Sequence, residues 1–359
     1  MKKYKRTLLV LSQLPPPHHG MSLLNEALER ELKESFEKNS RELLRIVVIN
    51  TSFNKSTRIK TLLFLLTIPF RIFLLNPSVV YITPSFRWPI ILRDVFFVML
   101  TKATRSRIYL HIHDGIIYRY NSNRLMRNLI SILFKHNSII TSNKNTRDLV
   151  MSNWPKVANT YVINNGIQPF TSFTAKPKDL GESKNKFVLY LSRIEEEKGI
   201  FEILKNLTSL NNHGYKLYCA GTIDKSIWEA IYKKYHSEID KGDVIFLNRV
   251  EDNEKYWLID NCQFLVYPTN LDDFPLVLIE ALQRGCSIIC RSIGGISCLN
   301  SKNIILYDKL EDLRPAINVY INDKAFSLKD NLASQTARTT YSLDQYTRAI
   351  KNILYKEFD

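Results

Sequence analysis

The chain has 359 residues, 45% hydrophobic and 24% charged, with only 11 Gly and 13 Pro, which excludes a disordered or collagen-like protein and leaves room for two cored domains. Its net charge of +15 is unevenly placed: residues 1–170 hold 25 Lys/Arg against 9 Asp/Glu, and residues 171–359 hold 25 against 26. A basic half beside a neutral one implies an anionic partner: nucleic acid, an anionic membrane face or a phosphorylated substrate.

The first element is a strand over 7–11, an apolar run between charges and prolines. Its basic start imitates a secretion signal. The run is too short for one, and Gln13, three prolines and two histidines stand where a cleavage site would be, so a buried strand is expected. Helical periodicity follows over 22–38, then a strand over 45–50. Residues 57–75 form a very apolar helix, interrupted by Pro69 and Arg71 and short of the ~18–20 apolar residues of a membrane span. Strands are expected over 78–83, 107–111, 138–141 and 160–163, with helices over 87–102, 123–136 and 143–152.

After a polar stretch over 169–186 the pattern restarts. Strands are expected over 187–191, 216–220, 244–247, 263–267 and 287–290. Helices are expected over 199–210, 225–236, 253–261 and 276–284, and a last helix over 343–358. Continuous apolar strands alternating with helices argue for parallel sheets covered on both faces. The expected fold is α/β, with two Rossmann-like doubly wound domains, 1–168 and 169–342, and the final helix over 343–359 crossing back to the first. The five cysteines, Cys219, Cys262, Cys286, Cys290 and Cys298, show no C-x2-C spacing, so reduced thiols, mostly in the core, and a cytosolic setting are expected.

In open parallel sheets, ligands sit beyond the carboxyl ends of the strands, so the loops there carry the chemistry. The strongest is DDFPLVLIEALQRG over 272–285. Asp272 precedes a helix and Glu280 lies inside it among apolar residues, while the helix start offers amides to an anion. A second loop places Ser192 and Arg193 at the end of one strand and Lys198 and Gly199 six residues on, two cations suited to a diphosphate. A third, LSQLPPPHHGMS, lets the backbone at Gly20 approach a ligand, and it carries neither a G-x-G-x-x-G nor a P-loop fingerprint. A fourth, YLHIHDG, places His113 beside Asp114 and Gly115 as a hydroxyl partner at the cleft edge, with His111 read as a packing residue. No D-x-D or His/Cys set suggests a metal.

Together these motifs resemble the retaining GT-B glycosyltransferases of family 4, also called group 1. The E-x7-E element of that family is similar to DDFPLVLIE here. Its phosphate element is similar to Ser192-Arg193…Lys198-Gly199, its pre-linker signature to Asn165-Gly166-Ile167, its glycine-ended strand to Cys219-Ala220-Gly221-Thr222, and its paired glycines to Gly294-Gly295. The first Glu is replaced by Asp272, followed by Asp273, and Ser192 stands for a Gly.

The resemblance implies a GT-B fold and a nucleotide-sugar donor, UDP-linked first and GDP-linked next. Catalytic roles fall to His113, Asp272 and Glu280. The diphosphate falls to Gly20, Arg193, Lys198, Leu276 and Val277, and the nucleoside to Gly221, Thr222, Arg249 and Glu280. The donor sugar falls to Asp272, Asp273, Phe274 and Pro275. It also implies retention of anomeric configuration and transfer to a saccharide acceptor in bacterial surface-polysaccharide assembly (O-antigen, capsule or exopolysaccharide).

The two cations and the helix dipole suffice for the leaving diphosphate, so neither metal nor cofactor is expected. Arg58, Lys60 and Arg71 beside the apolar run over 57–75 suit docking on an anionic membrane, which fits a lipid-diphosphate-linked acceptor and a peripheral place on the inner face of the cytoplasmic membrane. The competing readings are a nucleotide-sugar epimerase or phosphorylase-like protein of GT-B fold, a non-catalytic membrane partner of a polysaccharide synthase, and a nucleic-acid binder. The last lacks any reader motif.

Overall fold

The structure, a computed structural model, describes residues 6–16, 20–38, 44–52, 58–121, 123–168, 171–178, 180, 186–299, 301–323 and 331–358, without the side chains of 36–38, 58–66, 121, 331 and 332. Two compact units divide the chain: Met1–Gly166 with Leu343–Asp359, and Ile167–Ser342.

The first unit runs β1 (Arg6–Ser12), α1 (Gly20–Lys38), β2 (Leu44–Asn50), α2 (Arg58–Leu75), β3 (Val79–Ile82), α3 (Ile90–Ala103), β4 (Arg107–Ile112), α4 (Arg124–Phe134), β5 (Ser138–Thr141), α5 (Lys144–Asn153) and β6 (Asn159–Val162). Its six strands pair in parallel in the order β2-β1-β3-β4-β5-β6. The pleat sends alternate residues to opposite faces. Leu9, Leu11, Val80, Ile82, Leu110 and Ile139 meet Ile68, Ile72, Ile91, Val95, Val98, Ile130 and Leu133 of α2, α3 and α4. This two-sided burial is why the strands read as unbroken apolar runs rather than alternating ones.

The second unit runs β7 (Phe187–Leu191), α6 (Ile200–Leu204), α7 (Leu207–Asn212), β8 (Lys216–Ala220), α8 (Lys225–Asp240), β9 (Val244–Phe246), α9 (Asp252–Asn261), β10 (Leu265–Tyr267), α10 (Leu276–Gln283), β11 (Ile288–Arg291), β12 (Ile304–Tyr307), α11 (Leu313–Asn322) and α12 (Asn331–Thr340). Its six parallel strands take the order β12-β11-β10-β7-β8-β9. Phe187, Leu189 and Leu191 of β7 pack with α9 and α10, through Leu258, Ile259, Leu278 and Leu282. Val188 and Tyr190 pack on the other side with α6, α7 and α11, through Ile203, Leu207 and Ile317. Four of the five cysteines, all but Cys298, are buried.

One expected element is corrected. Residues 199–210 do not form a single helix. A 3-10 turn over Glu196–Lys198 leads to Gly199 in the left-handed region at φ 78°, then to the five-residue α6, and Asn206 separates α6 from α7. The Asn206 amide donates to the Glu202 carbonyl at 2.9 Å, a local bond that competes with continued helix. Residues 304–307, 313–322 and 331–340 form elements for which no expectation was drawn.

The last helix, α13 (Leu343–Tyr355), belongs to the first unit and packs on α1. Lys351 Nζ meets Glu31 Oε1 at 2.5 Å, and that ammonium holds the Glu31 carboxyl below its ordinary range. Tyr346, Ile350 and Leu354 give α13 a buried stripe at helical spacing. Ile350→Ala should therefore destabilise the protein by about 2–5 kcal/mol in urea denaturation, the usual range for a fully buried aliphatic. An unchanged midpoint would mean that α13 adds nothing to this core.

Candidate functional site

In the second unit, β8 and β9 lie on one side of β7, and β10, β11 and β12 lie on the other. The order therefore reverses between β7 and β10. Loops leaving their carboxyl ends run to helices on opposite faces and open a crevice, the usual place for a ligand in such sheets. The loops after β7, β10 and β11 are bonded together there. Asn270 N–H donates to the Glu197 carbonyl at 2.8 Å, and Gly295 N–H to the Asp273 carbonyl at 2.7 Å.

Lys198 and Asp272, 74 residues apart, meet at this point. Lys198 Nζ lies 2.5 Å from Asp272 Oδ2 and donates to the Leu271 carbonyl at 3.1 Å. Tyr267, at the end of β10, donates to the same carboxylate oxygen at 2.6 Å. Burial, together with Asp272, pushes the Tyr267 phenol well above its ordinary range, so it remains a donor. Tyr190, from β7, ties the other loop: its hydroxyl reaches the carbonyls of Arg193 at 3.3 Å and Lys198 at 3.2 Å. Neither tyrosine stood out in the sequence, where both read as core residues of apolar strands.

Arg193 projects to the surface and pairs with Glu195 at 2.6 Å. Lys198 closes the 3-10 turn and α6 begins at Ile200, so the expected helix start is present beside it but runs for only five residues. At α10, Pro275 is the extended residue before the first turn, so the amides of Leu276 and Val277 start a helix and have no intrahelical acceptor. Asp273 is buried. Phe274 packs in the core, its ring 5.8 Å from Tyr341, so a sugar contact from that ring is not supported.

Gly294 explains how the loop after β11 sits so close. Its φ is 51°, and an added Cβ would fall 2.4 Å from the Asp272 carbonyl oxygen. Only glycine both accepts the left-handed conformation and leaves room for that carbonyl. Gly221 likewise lies against the Ser192 carbonyl, while Thr222 and Arg249 are exposed beyond the ends of β8 and β9.

Glu280 faces neither bulk solvent nor apolar side chains alone. Lys255 of α9, a residue the sequence did not single out, places Nζ 2.8 Å from Glu280 Oε1 and 3.0 Å from Asp252 Oδ1. Burial raises the Glu280 carboxyl above its ordinary range, and the Lys255 ammonium opposes that rise. Burial pulls the Lys255 ammonium down, but Glu280 and Tyr256 outweigh it and hold the lysine well above its ordinary range. Tyr256 lies under Lys255 and Arg284, the latter 4.1 Å from the ring centroid, and Arg284 pairs with Asp260 at 2.6 Å.

In the first unit, Gly20 opens α1 after β1, and His113 follows β4, both at the carboxyl end of that sheet. His113 is half-buried, its ring 3.9 Å from that of His111. His111 is fully buried, with Nδ1 2.6 Å from the Tyr81 hydroxyl, and burial holds it far below its ordinary range. Arg71 is exposed on α2, and the side chains of Arg58 and Lys60 lie outside the described residues. Among the described residues, no three His, Cys, Asp or Glu side chains gather as a metal ion would need.

Residues 172–338 match the family model of glycosyl transferases group 1. A glycogen synthase of Mycobacterium tuberculosis is 26% identical over 163 residues, covering 44% of this chain and 38% of that protein. An N,N'-diacetylbacillosaminyl-diphospho-undecaprenol alpha-1,3-N-acetylgalactosaminyltransferase of Campylobacter jejuni is 24% identical over 190 residues, covering 49% of this chain and 48% of that one. The chain thus spans less than half the length of these curated relatives. The Anabaena HepE structure, solved with UDP, superposes with a TM-score of 0.73 at 15% identity, covering 98% of this chain and 100% of that one. The fold is GT-B.

Two expectations follow from this geometry. Lys255→Met leaves a buried carboxyl without its ammonium. Glu280 should then titrate at a higher pH than in the wild type and cost up to about 3 kcal/mol of stability at pH 7. An acid whose folded pKa is raised loses stability as pH climbs from its unfolded value through the folded one. The Met variant should fall more steeply than wild type between pH about 4.5 and 7, and adding Glu280→Gln should flatten the curve. Parallel urea-derived profiles for wild type and single variant would reject the coupling. Separately, Gly294→Ala should destabilise by more than the roughly 1–2 kcal/mol of a left-handed alanine, because backbone must also move. A smaller loss would show that the 294–295 turn is not held against Asp272.

Proposed function

We propose that this chain, whose residues 172–338 match glycosyl transferases group 1, is a glycosyltransferase that moves a sugar from a nucleotide diphosphate to a saccharide acceptor with retention. The observation that carries the reading is the joining of Lys198, Asp272 and the start of α10 at the reversal of strand order. UDP is the first choice of nucleotide and GDP the next. The UDP-bound Anabaena structure of the same fold supports that order.

Transfer builds positive charge on the sugar ring and negative charge on the departing diphosphate. Lys198 has three N–H bonds and gives two to Leu271 and Asp272, which leaves one for a phosphate oxygen. Arg193 swings from Glu195 to the same group, and the amides of Leu276 and Val277 meet the phosphates or sugar. These charges serve where other transferases place a metal ion, so we take the reaction to be metal-independent. Asp272, held by Tyr267, faces the sugar hydroxyls and the reacting carbon, with Asp273 and Pro275 shaping the loop beneath. Glu280 accepts the ribose hydroxyls, and Gly221, Thr222 and Arg249 lie by the base. From the first unit, Gly20 admits the diphosphate and His113 takes a hydroxyl of the transferred sugar.

For the acceptor we propose a lipid-diphosphate-linked saccharide, in bacterial surface-polysaccharide assembly at the inner face of the cytoplasmic membrane. The basic first half supports it, as does the Campylobacter relative, whose name carries a diphospho-undecaprenol substrate. The attachment we propose is peripheral; among the described residues no helix is long and apolar enough to cross a membrane.

Lys198→Ala should weaken UDP binding about 10–100-fold in calorimetry, as loss of one charge-assisted bond predicts, and leave uridine binding nearly unchanged. Equal losses for both ligands would reject the phosphate role. With a labelled UDP-sugar, Glu280→Ala should abolish turnover while the protein stays folded, and wild-type turnover should survive a chelator. Activity restored only by manganese would overturn the metal-independent reading.

A further inference from the structure

The helices that cover one face of the first unit's sheet are apolar on both sides. Ile68 and Ile72 of α2 and Ile91, Val95 and Val98 of α3 point into the core. Their outer sides carry Phe70, Phe73 and Leu74 on α2, and Trp88 in the turn before α3 with Leu92, Phe96 and Met99 along it, all between 43% and 69% exposed. The spacing of four and three residues puts Leu92, Phe96 and Met99 in one stripe of α3, Trp88 stands in the turn before it, and α2 packs against α3. Scattered exposed apolar residues need no explanation, but seven large ones on two touching helices and the turn before α3 form a patch of the kind that marks an interaction surface.

Charge says what covers it. From residue 58 to 135 the sequence has twelve Lys/Arg and two acidic residues, Asp94 and Asp114. Asp94 is buried, bonded to the Ser85 amide and paired with Arg93, and Asp114 has Arg87 within 3.8 Å. Neither acid of this segment is therefore uncompensated. Arg71 stands exposed between Phe70 and Phe73, Arg87 adjoins Trp88, and Lys102 and Arg105 are exposed at the end of α3. Apolar side chains ringed by cations match an anionic lipid surface, where rings and aliphatic chains enter the acyl boundary and cations remain with the phosphates. Trp88 suits the headgroup level, where indoles concentrate.

We propose that the α2–α3 face, with Trp88, Leu92, Phe96 and Met99 as its α3 arm, is the surface by which the protein lies on an anionic phospholipid membrane. The inference deepens the membrane placement proposed above and rests on it, but it is read without any glycosyl transfer. Vesicles of phosphatidylcholine, alone or with phosphatidylglycerol, are the probe. Wild type should sediment with the phosphatidylglycerol vesicles, bind less as salt rises, and show a blue shift of tryptophan emission that Trp88→Phe removes. The triple variant Leu92→Ser, Phe96→Ser, Met99→Ser should bind those vesicles at least tenfold more weakly while keeping wild-type UDP affinity and unfolding midpoint.

Unchanged partitioning of a folded triple variant would overturn the α3 arm and leave the membrane placement standing on α2. No wild-type binding to any vesicle would overturn the placement and this inference together, without touching the transferase reading. A concentration-dependent dimer in sedimentation velocity, abolished by the triple variant, would assign the face to a second copy of the chain and overturn the lipid occupant. Should the triple variant fail to fold, quenching of Trp88 emission by brominated lipid in the wild type decides the same point: absence of quenching overturns the proposal.

Discussion

The reversal of strand order between β7 and β10 is the constraint from which the candidate site follows. Adjacent parallel strands whose crossovers go to opposite faces cannot have their outgoing loops packed flat against each other. The backbone there needs partners, and the structure supplies them loop to loop. Asn270 reaches Glu197, Gly295 reaches Asp273, and the hydroxyls of Tyr190 and Tyr267 emerge from the strand ends to hold the two sides. The Lys198–Asp272 pair completes the set. A lysine fixed by one carboxylate and one carbonyl is already oriented before any ligand arrives, and it lies in surroundings less watery than a surface. Charge stabilisation of this kind is useful because little reorganisation remains when negative charge develops.

The same geometry explains which features the sequence discloses. Strands β7, β10 and β11 are buried on both faces, so they stand out as short runs such as FVLYL between turns and polar segments. Asp272, Glu280, Arg193 and Lys198 are visible because charge and glycine interrupt apolar runs at fixed distances. Lys255 is not, because its partner lies 25 residues on and α9 and α10 must first pack for the two to meet. Tyr190 and Tyr267 are hidden for another reason: hydropathy credits the ring and overlooks the hydroxyl, which is the part that acts. The break at Asn206 escapes notice because the bond that accompanies it, from the Asn206 side chain to the Glu202 carbonyl, leaves no mark in the hydropathy pattern. Residues 304–307, with only Tyr307 buried, lack the fully apolar signature and so gave no strand expectation.

The two units treat charge in opposite ways. In the second, cations and anions occur in nearly equal numbers, and those around the candidate site pair with one another, as in Lys198 with Asp272, Lys255 with Glu280 and Arg284 with Asp260. Such pairs are costly to desolvate and repay that only with good geometry and further bonds. Tyr267, Leu271 and Tyr256 supply those bonds and contacts around the first two pairs. A site of this sort is selective: an incoming anion must offer Lys198 and Arg193 more than Asp272 and Glu195 already give, which a diphosphate, with its two charges and many oxygens, is better able to do than a single carboxylate.

In the first unit the cations outnumber nearby acids and cannot be neutralised internally. They would repel one another and disfavour the compact state unless solvated or countered from outside. Their neighbours are aromatic and aliphatic side chains that water does not solvate well. For a helix fully in water, the outer side of α3 would be expected to be polar, and for a helix fully in a core it would be covered. Phe96 and Met99 meet neither condition, whereas the inner side of the same helix is packed from Ile91 to Val98. An acidic protein could compensate the arginines, but it would not by itself account for an exposed indole and a run of exposed aliphatic and aromatic side chains. A phospholipid headgroup layer accounts for both, because it offers negative charge and hydrocarbon within one side-chain length of each other.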